Sequence, residues 1–207
     1  MTQVVTPSKS ITKGQAGKFV DVAVDALVKS GLSSEPTQQV LENQGAALAD
    51  EFVGLVRKRV EAITGMIVRR VTVDRSRTPQ TMLNATGRKQ YTIQSVVDAM
   101  PRGEDNETDV FFFKPDPAVY KDGWISEDEV VRQYELRGLK ADPYAQGAVN
   151  EVDPAFADEH PNGTQWKDVQ GKWCFAIFDR WAHERHVDVH RGDNDWDDYW
   201  FFAGVRK

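Results

Sequence analysis

Residues 173–207 read WCFAIFDRWAHERHVDVHRGDNDWDDYWFFAGVRK. Three strand-like runs lie in this stretch: Trp173–Phe178, His186–Arg191 and Tyr199–Arg206. Each is rich in β-branched or aromatic residues. Side chains alternate between faces along a strand, so His186, Asp188 and His190 share one face and Val187 and Val189 the other. A framework emerges: Phe178, Arg180, Trp181, Glu184, Arg185, Val187, Val189, Arg191, Trp196, Trp200 and the tail from Phe202 to Lys207. Its large aromatics, Trp181 and Trp200 among them, read as packing positions. Between them fall Asp179, Ala182, His183, His186, Asp188, His190, Gly192, Asp193, Asn194, Asp195, Asp197, Asp198, Tyr199 and Phe201. These follow no core logic. They suit exposed positions on a rigid scaffold, where aromatics give contact area at low entropy cost and short polar groups give adaptable hydrogen bonds.

Outward from this region the chain changes character. Five of the six tryptophans lie beyond Gly163, in a loop-rich stretch. Upstream, Met66–Val73 alternates as a strand, and Asp109–Lys114 is a short apolar strand stopped by Pro115 and Pro117. Short helices are predicted from Thr78-Pro79 to Ala85, over Ile93–Met100, from a cap at Ser126 to Leu136, and over Asp142–Asn150 and Pro154–Glu159. The N-terminal segment 1–65 holds two long helices, from Lys13 to about Ser30 and from Ser33-Ser34-Glu35-Pro36 to about Ile63, split at Gly31. Both are too apolar to bury their faces on each other alone, which points to docking or oligomerisation. The order predicts an α+β chain: a helical segment over 1–65, then a domain over 66–207 with its variable surface at about 179–201.

Composition narrows the function. The chain of 207 residues is 40% hydrophobic and 28% charged, as in a globular protein. No apolar run is long enough to span a membrane. The net charge of −6 argues against a general nucleic-acid surface. The polar start MTQVVTPSKSITKGQ lacks the apolar core of a secretory signal. Export by the common route is therefore not expected, and the location is cytoplasmic or unstated by the sequence. The single cysteine, Cys174, excludes an internal disulfide and any zinc site built on several thiolates.

Chemistry-bearing patterns are few. His186, Asp188 and His190 on one strand face form a candidate zinc or iron(II) ligand set, against the plainer reading of a solvated strand face. Asp193, Asp195, Asp197 and Asp198 offer hard oxygens like a calcium loop, but the glycine and the twelfth-position glutamate of an EF-hand are missing. Cys174, between Trp173 and Phe175, reads as a buried, inert thiol. The basic run Arg69-Arg70…Arg75-Ser76-Arg77 reads as exposed arginines on a surface strand, with an anion site as the alternative. No phosphate-binding loop or nucleophile elbow occurs.

The interleaving of framework and insert resembles the variable region of target proteins of diversity-generating retroelements. In that family adenine-directed mutagenesis rewrites AAY codons near the 3′ end of the gene. The products include Asn, Asp, His, Gly, Ala, Tyr and Phe but exclude Trp, Glu, Lys, Gln and Met. Every interleaved position holds a permitted type, and Trp and Glu fall only on the framework. The segment Asn162-Gly163-Thr164…Trp166…Gly171-Lys172-Trp173 is also similar to formylglycine-generating-enzyme-type C-type lectin folds, which usually carry these variable residues.

The resemblance implies a non-enzymatic binding module without a cofactor or metal. The variable set would contact a protein or glycan ligand, not nucleic acid or membrane, and the N-terminal helices would make a homo-oligomer. Two alternatives stay open: a structural or assembly protein of a phage particle or toxin–antitoxin pair, and a metal-dependent enzyme using His186, Asp188 and His190.

Overall fold

The computed structural model describes residues 11–192 and 196–207. The chain divides into two compact units, one built on residues 7–63 and the other on residues 64–207. The fold class is α+β, as the element order predicts.

The smaller unit is a helical pair, α1 (Lys13–Lys29) and α2 (Ser34–Thr64). Thr12 starts α1 with a capping box. Its hydroxyl accepts from the Gln15 N–H, and the Gln15 side chain accepts from the Thr12 N–H. Gly31 takes a positive φ of 72° and turns the chain between the helices, a conformation that glycine adopts without strain. Phe19 and Phe52 stack with centroids 4.3 Å apart. No residue of either helix is buried. Val20, Val24 and Leu27 of α1 and Leu41, Leu48 and Leu55 of α2 stay exposed.

The larger unit is one mixed sheet with helices on both faces. Its strands are β1 (Met66–Thr72), β2 (Lys89–Thr92), β3 (Glu107–Phe113), β5 (Leu139–Ala141), β6 (Asn162–Lys167), β7 (Trp173–Trp181), β8 (Glu184–Arg191) and β10 (Phe201–Arg206). They lie in the order β1-β3-β10-β6-β7-β8-β2, with β5 on β10. A small pair of β4 (Trp124–Ile125) and β9 (Trp196–Asp197) lies apart. Among the described residues five α-helices complete the unit: α3 (Pro79–Ala85), α4 (Gln94–Asp98), α5 (Glu127–Leu136), α6 (Pro143–Val152) and α7 (Phe156–Glu159). Among the described residues no helix is long and apolar enough to cross a membrane.

Strand alternation sorts the core into two layers. On one face Val187, Val189, Cys174, Ala176 and Phe178 pack with residues of α3, α4, α6 and α7. On the other, Phe175, Ile177 and Phe202 pack with Val130 and Tyr134 of α5, Ile125 of β4 and Trp196 of β9. We call these the helix-covered face and the open face. The second layer stops at β7, and β8 and β2 extend its face beyond the α5 cover.

Two sequence expectations change. The polar run NGTQWK gives no strand signal, yet it forms β6, and Asn162 through Trp166 are buried at the centre of the sheet. Its amide side chains find partners: the Gln146 amide donates to Asn162 Oδ1 at 2.9 Å, the Gln165 amide to the Glu127 carbonyl at 2.7 Å, and the Trp196 indole to Gln165 Oε1 at 3.0 Å. In the basic run, Arg75 is not a free surface charge. It pairs bidentately with buried Asp142, at 2.7 and 2.8 Å.

Candidate functional site

The site is built on the β7–β8 hairpin. Its strands pair as Asp179 with His186, Ile177 with Asp188 and Phe175 with His190, and directly opposed residues share a face. The open face therefore presents Asp179, His186, Asp188 and His190 together. β2 runs parallel to β8 and pairs Lys89 with His186 and Tyr91 with Asp188, adding both side chains to that face. The alternating partners Phe178, Val187 and Val189 are fully buried beneath it.

The hairpin closes on Ala182 and His183, which both adopt positive φ, 49° and 69°. A two-residue turn of this kind matches the twist of the strands, although it favours Asn and Gly. Both residues are exposed at the tip. Trp181, just before the turn, is 72% exposed and not the core residue expected from its framework place. It stands at the last paired position of β7, beyond the reach of α5, and its ring meets His186 edge-on at 6.3 Å. Trp200, also expected in the core, is only partly buried, packed at the margin of the second core layer.

An aromatic row links the strands to the segment after β9. His190 stacks on Phe175 at 6.1 Å, Phe175 meets Trp196 at 5.8 Å, Trp196 meets Trp200 at 5.9 Å and Trp200 meets Tyr199 at 5.1 Å. Tyr199 is exposed; partial burial raises its hydroxyl, and the Asp179 and Asp197 charges add to the rise. Asp197 Oδ1 accepts from the Tyr199 N–H at 3.1 Å, and the Asp198 carbonyl accepts from Lys114 Nζ at 2.6 Å.

The electrostatics follow from partial burial, which disfavours a charged carboxylate. Burial raises the Asp179 carboxyl above its ordinary value, opposed by His186 and Arg88. Burial also raises Asp188, and the like charge of Asp179 adds to the rise. Among the described residues, Asp188 Oδ1 and His186 Nε2 are buried without a hydrogen-bond partner. Glu184 Oε2 lies 3.6 Å from that nitrogen, beyond hydrogen-bond length. Glu184 is itself held by Lys89 Nζ at 2.8 Å, which lowers its pKa.

The candidate variable residues divide as follows. Ala182, His183, Asp198 and Tyr199 are exposed, and Asp179, Asp188, His190, Gly192 and Asp197 are half-buried. His186 is 6% exposed, enclosed by the rings of Tyr91 and Trp181, so it is not the protruding side chain the strand pattern suggested. Phe201 points away. It opposes Asn162 on the helix-covered face, packs against that core and meets His160 at 5.2 Å. Asp193, Asn194 and Asp195, which carry much of the calcium-loop reading, lie outside the described residues.

Among the described residues no three His, Cys, Asp or Glu side chains gather as a metal-ligand group, His186, Asp188 and His190 included. Cys174 is buried, and burial raises its thiol. Sequence reasoning missed Tyr91 and Lys89, because a parallel pairing of β2 with a strand far along the chain leaves no local signal. Comparison with protein-family models, with curated proteins and with solved structures gives no match.

Proposed function

We propose that this chain is a non-enzymatic binding module that recognises a protein or glycan through the open face of β7 and β8, as a variable protein of a diversity-generating retroelement. One observation carries the reading. Asp179, Asp188 and His190 collect on one uncovered end of the sheet, while the alternating Phe178, Val187 and Val189 are locked in the core. Substitution on the outer set leaves the inner set intact, which is what a diversified surface requires. Surface changes away from special features typically shift stability by under about 0.5 kcal/mol. The lectin-type resemblance stays with its sequence motif and adds no contact to this argument.

The exposed apolar residues of α1 and α2 support self-association of the helical pair. Several copies of a weak site would then act together through avidity. The same exposed residues also fit the second reading, an assembly protein. Solution mass separates the two: a small defined oligomer fits the binding module, and a large closed shell fits the assembly protein.

The decisive test is the neighbouring DNA. A near-copy of the 3′ end of the gene, differing at adenines and lying beside a reverse-transcriptase gene, is the expected result. Absence of that copy overturns the retroelement reading.

A further inference from the structure

We propose that the open face holds an alkylammonium or guanidinium group, the side chain of a lysine or arginine on a partner protein, between Asp179 and Asp188 with Tyr91 and Trp181 as aromatic walls. This rests on the binding-module reading and adds to it the chemistry of the ligand.

The placement comes from strand register. Asp179 opposes His186, and Asp188 opposes Ile177, so the carboxylates are diagonal neighbours on one face. Such neighbours lie about 7–8 Å apart at Cα, which leaves room for one cationic head between two carboxylates. Tyr91 flanks Asp188 from β2, and its ring meets His186 at 5.2 Å. Trp181 closes the side toward the turn, its ring meeting His186 at 6.3 Å. Aromatic faces attract cations, most strongly where water is excluded. Tyr91 already does so: Lys89 Nζ lies 5.6 Å from its ring centroid.

The local charge is unbalanced in the required sense. Lys89 is engaged by Glu184. Arg180 and Arg185 are drawn to Asp158, and Arg88 lies over the Phe178 ring on the helix-covered side. Among the described residues no lysine or arginine thus forms an ion pair with Asp179 or Asp188, and the imidazoles of His186 and His190 offset the two carboxylates only in part.

A second, independent observation points to a ligand. His186 is more than nine-tenths buried, and among the described residues its Nε2 has no hydrogen-bond partner, Glu184 Oε2 standing off at 3.6 Å; the buried Asp188 Oδ1 also lacks one. Buried polar atoms in native proteins are nearly always partnered. The N–H groups of an ammonium or guanidinium donate to such a carboxylate oxygen. A neutral sugar also stacks on aromatic rings, but it leaves the two carboxylate charges uncompensated.

The test titrates isotope-labelled full-length protein with N-acetyl-arginine amide, N-acetyl-lysine amide, the neutral N-acetyl-norleucine amide and methyl glucoside, following the His186, His190 and Trp181 signals by NMR. The expected result is saturable shifts with both cationic probes and responses about ten-fold weaker with the neutral ones. The variant D179N/D188N, with its fold checked by circular dichroism, loses the response to the cationic probes by about the same factor. Should that variant not fold, W181A at an exposed position gives the comparison, with a several-fold loss. Equal saturation by norleucine amide or glucoside overturns the cation proposal and keeps the recognition face. If no probe moves these signals, the cation proposal falls, and the binding-module reading is decided separately by the neighbouring DNA.

Discussion

Gly163 lies directly against the indole of Trp196: a Cβ at this glycine would come within 2.8 Å of the ring. The indole is fixed from its other end by its donation to Gln165 Oε1 and by edge contacts with Phe175 and Phe202. Gly163→Ala therefore forces the ring off its place and is expected to destabilise the protein by about 1–3 kcal/mol, read from the urea midpoint. Trp196→Ala should cost about 3–5 kcal/mol through the cavity it leaves.

Arg75 and Asp142 form a buried pair in which Asp142 also caps α6, accepting from the Ala145 N–H at 2.9 Å. Removing the arginine strands a buried charge. Arg75→Ala is expected to cost about 3–5 kcal/mol, more than typical exposed-arginine substitutions. A thermal melt close to that of the parent protein would sink this assignment.

The tip of the β7–β8 hairpin carries backbone strain, since Ala182 and His183 both sit at positive φ. Each non-glycine residue there costs roughly 1 kcal/mol. Replacing the pair by Asn-Gly is expected to raise stability by about 1–2 kcal/mol in urea unfolding. An unchanged or lowered midpoint counts against the turn geometry.

Asp188 titrates above the ordinary carboxylate value of 3.8 in the folded chain. Between that value and its raised one, the folded state binds more protons than the unfolded. Stability from this group therefore falls as pH rises through the window and stays reduced at neutral pH. Asp188→Asn removes the penalty. Its melting temperature should exceed that of the parent at pH 7, and the difference should shrink as the pH drops below the ordinary carboxylate range. A variant less stable than the parent at pH 7 contradicts the sign.

Trp181 is a tryptophan whose loss should barely register in folding, because its ring is largely exposed. Trp181→Ala is expected to change stability by under about 0.5 kcal/mol, unlike Trp196→Ala. Differential scanning calorimetry of the two variants side by side checks the contrast.

The helices and five of the ten strands among the described residues were legible because their signals are local. Gly31, Thr78-Pro79 and Ser126 mark boundaries by backbone preference and capping, and the alternation of Val187 and Val189 with Asp188 and His190 names the two faces of β8. What escaped was set by distant chain. β6 is polar in sequence and buried in fact because Gln146, Glu127 and Trp196 supply its hydrogen bonds from three other elements. The fate of each tryptophan also depended on cover: Trp196 lies under α5 and its neighbours, whereas Trp181 extends beyond them. Within the candidate site, alternation placed Asp188 and His190 correctly on one face. It could not foresee that Tyr91 would enclose His186, or that Phe201 would fall on the opposite side.

Because inner and outer residues alternate singly along β8, the hairpin tolerates exchange but not a change of length. One inserted or deleted residue would shift the strand by a half-period, exposing Val187 and Val189 to water and driving Asp188 and His190 into the apolar layer. Natural variants of this hairpin should therefore differ letter by letter at constant spacing, with insertions and deletions confined to the loops that flank it.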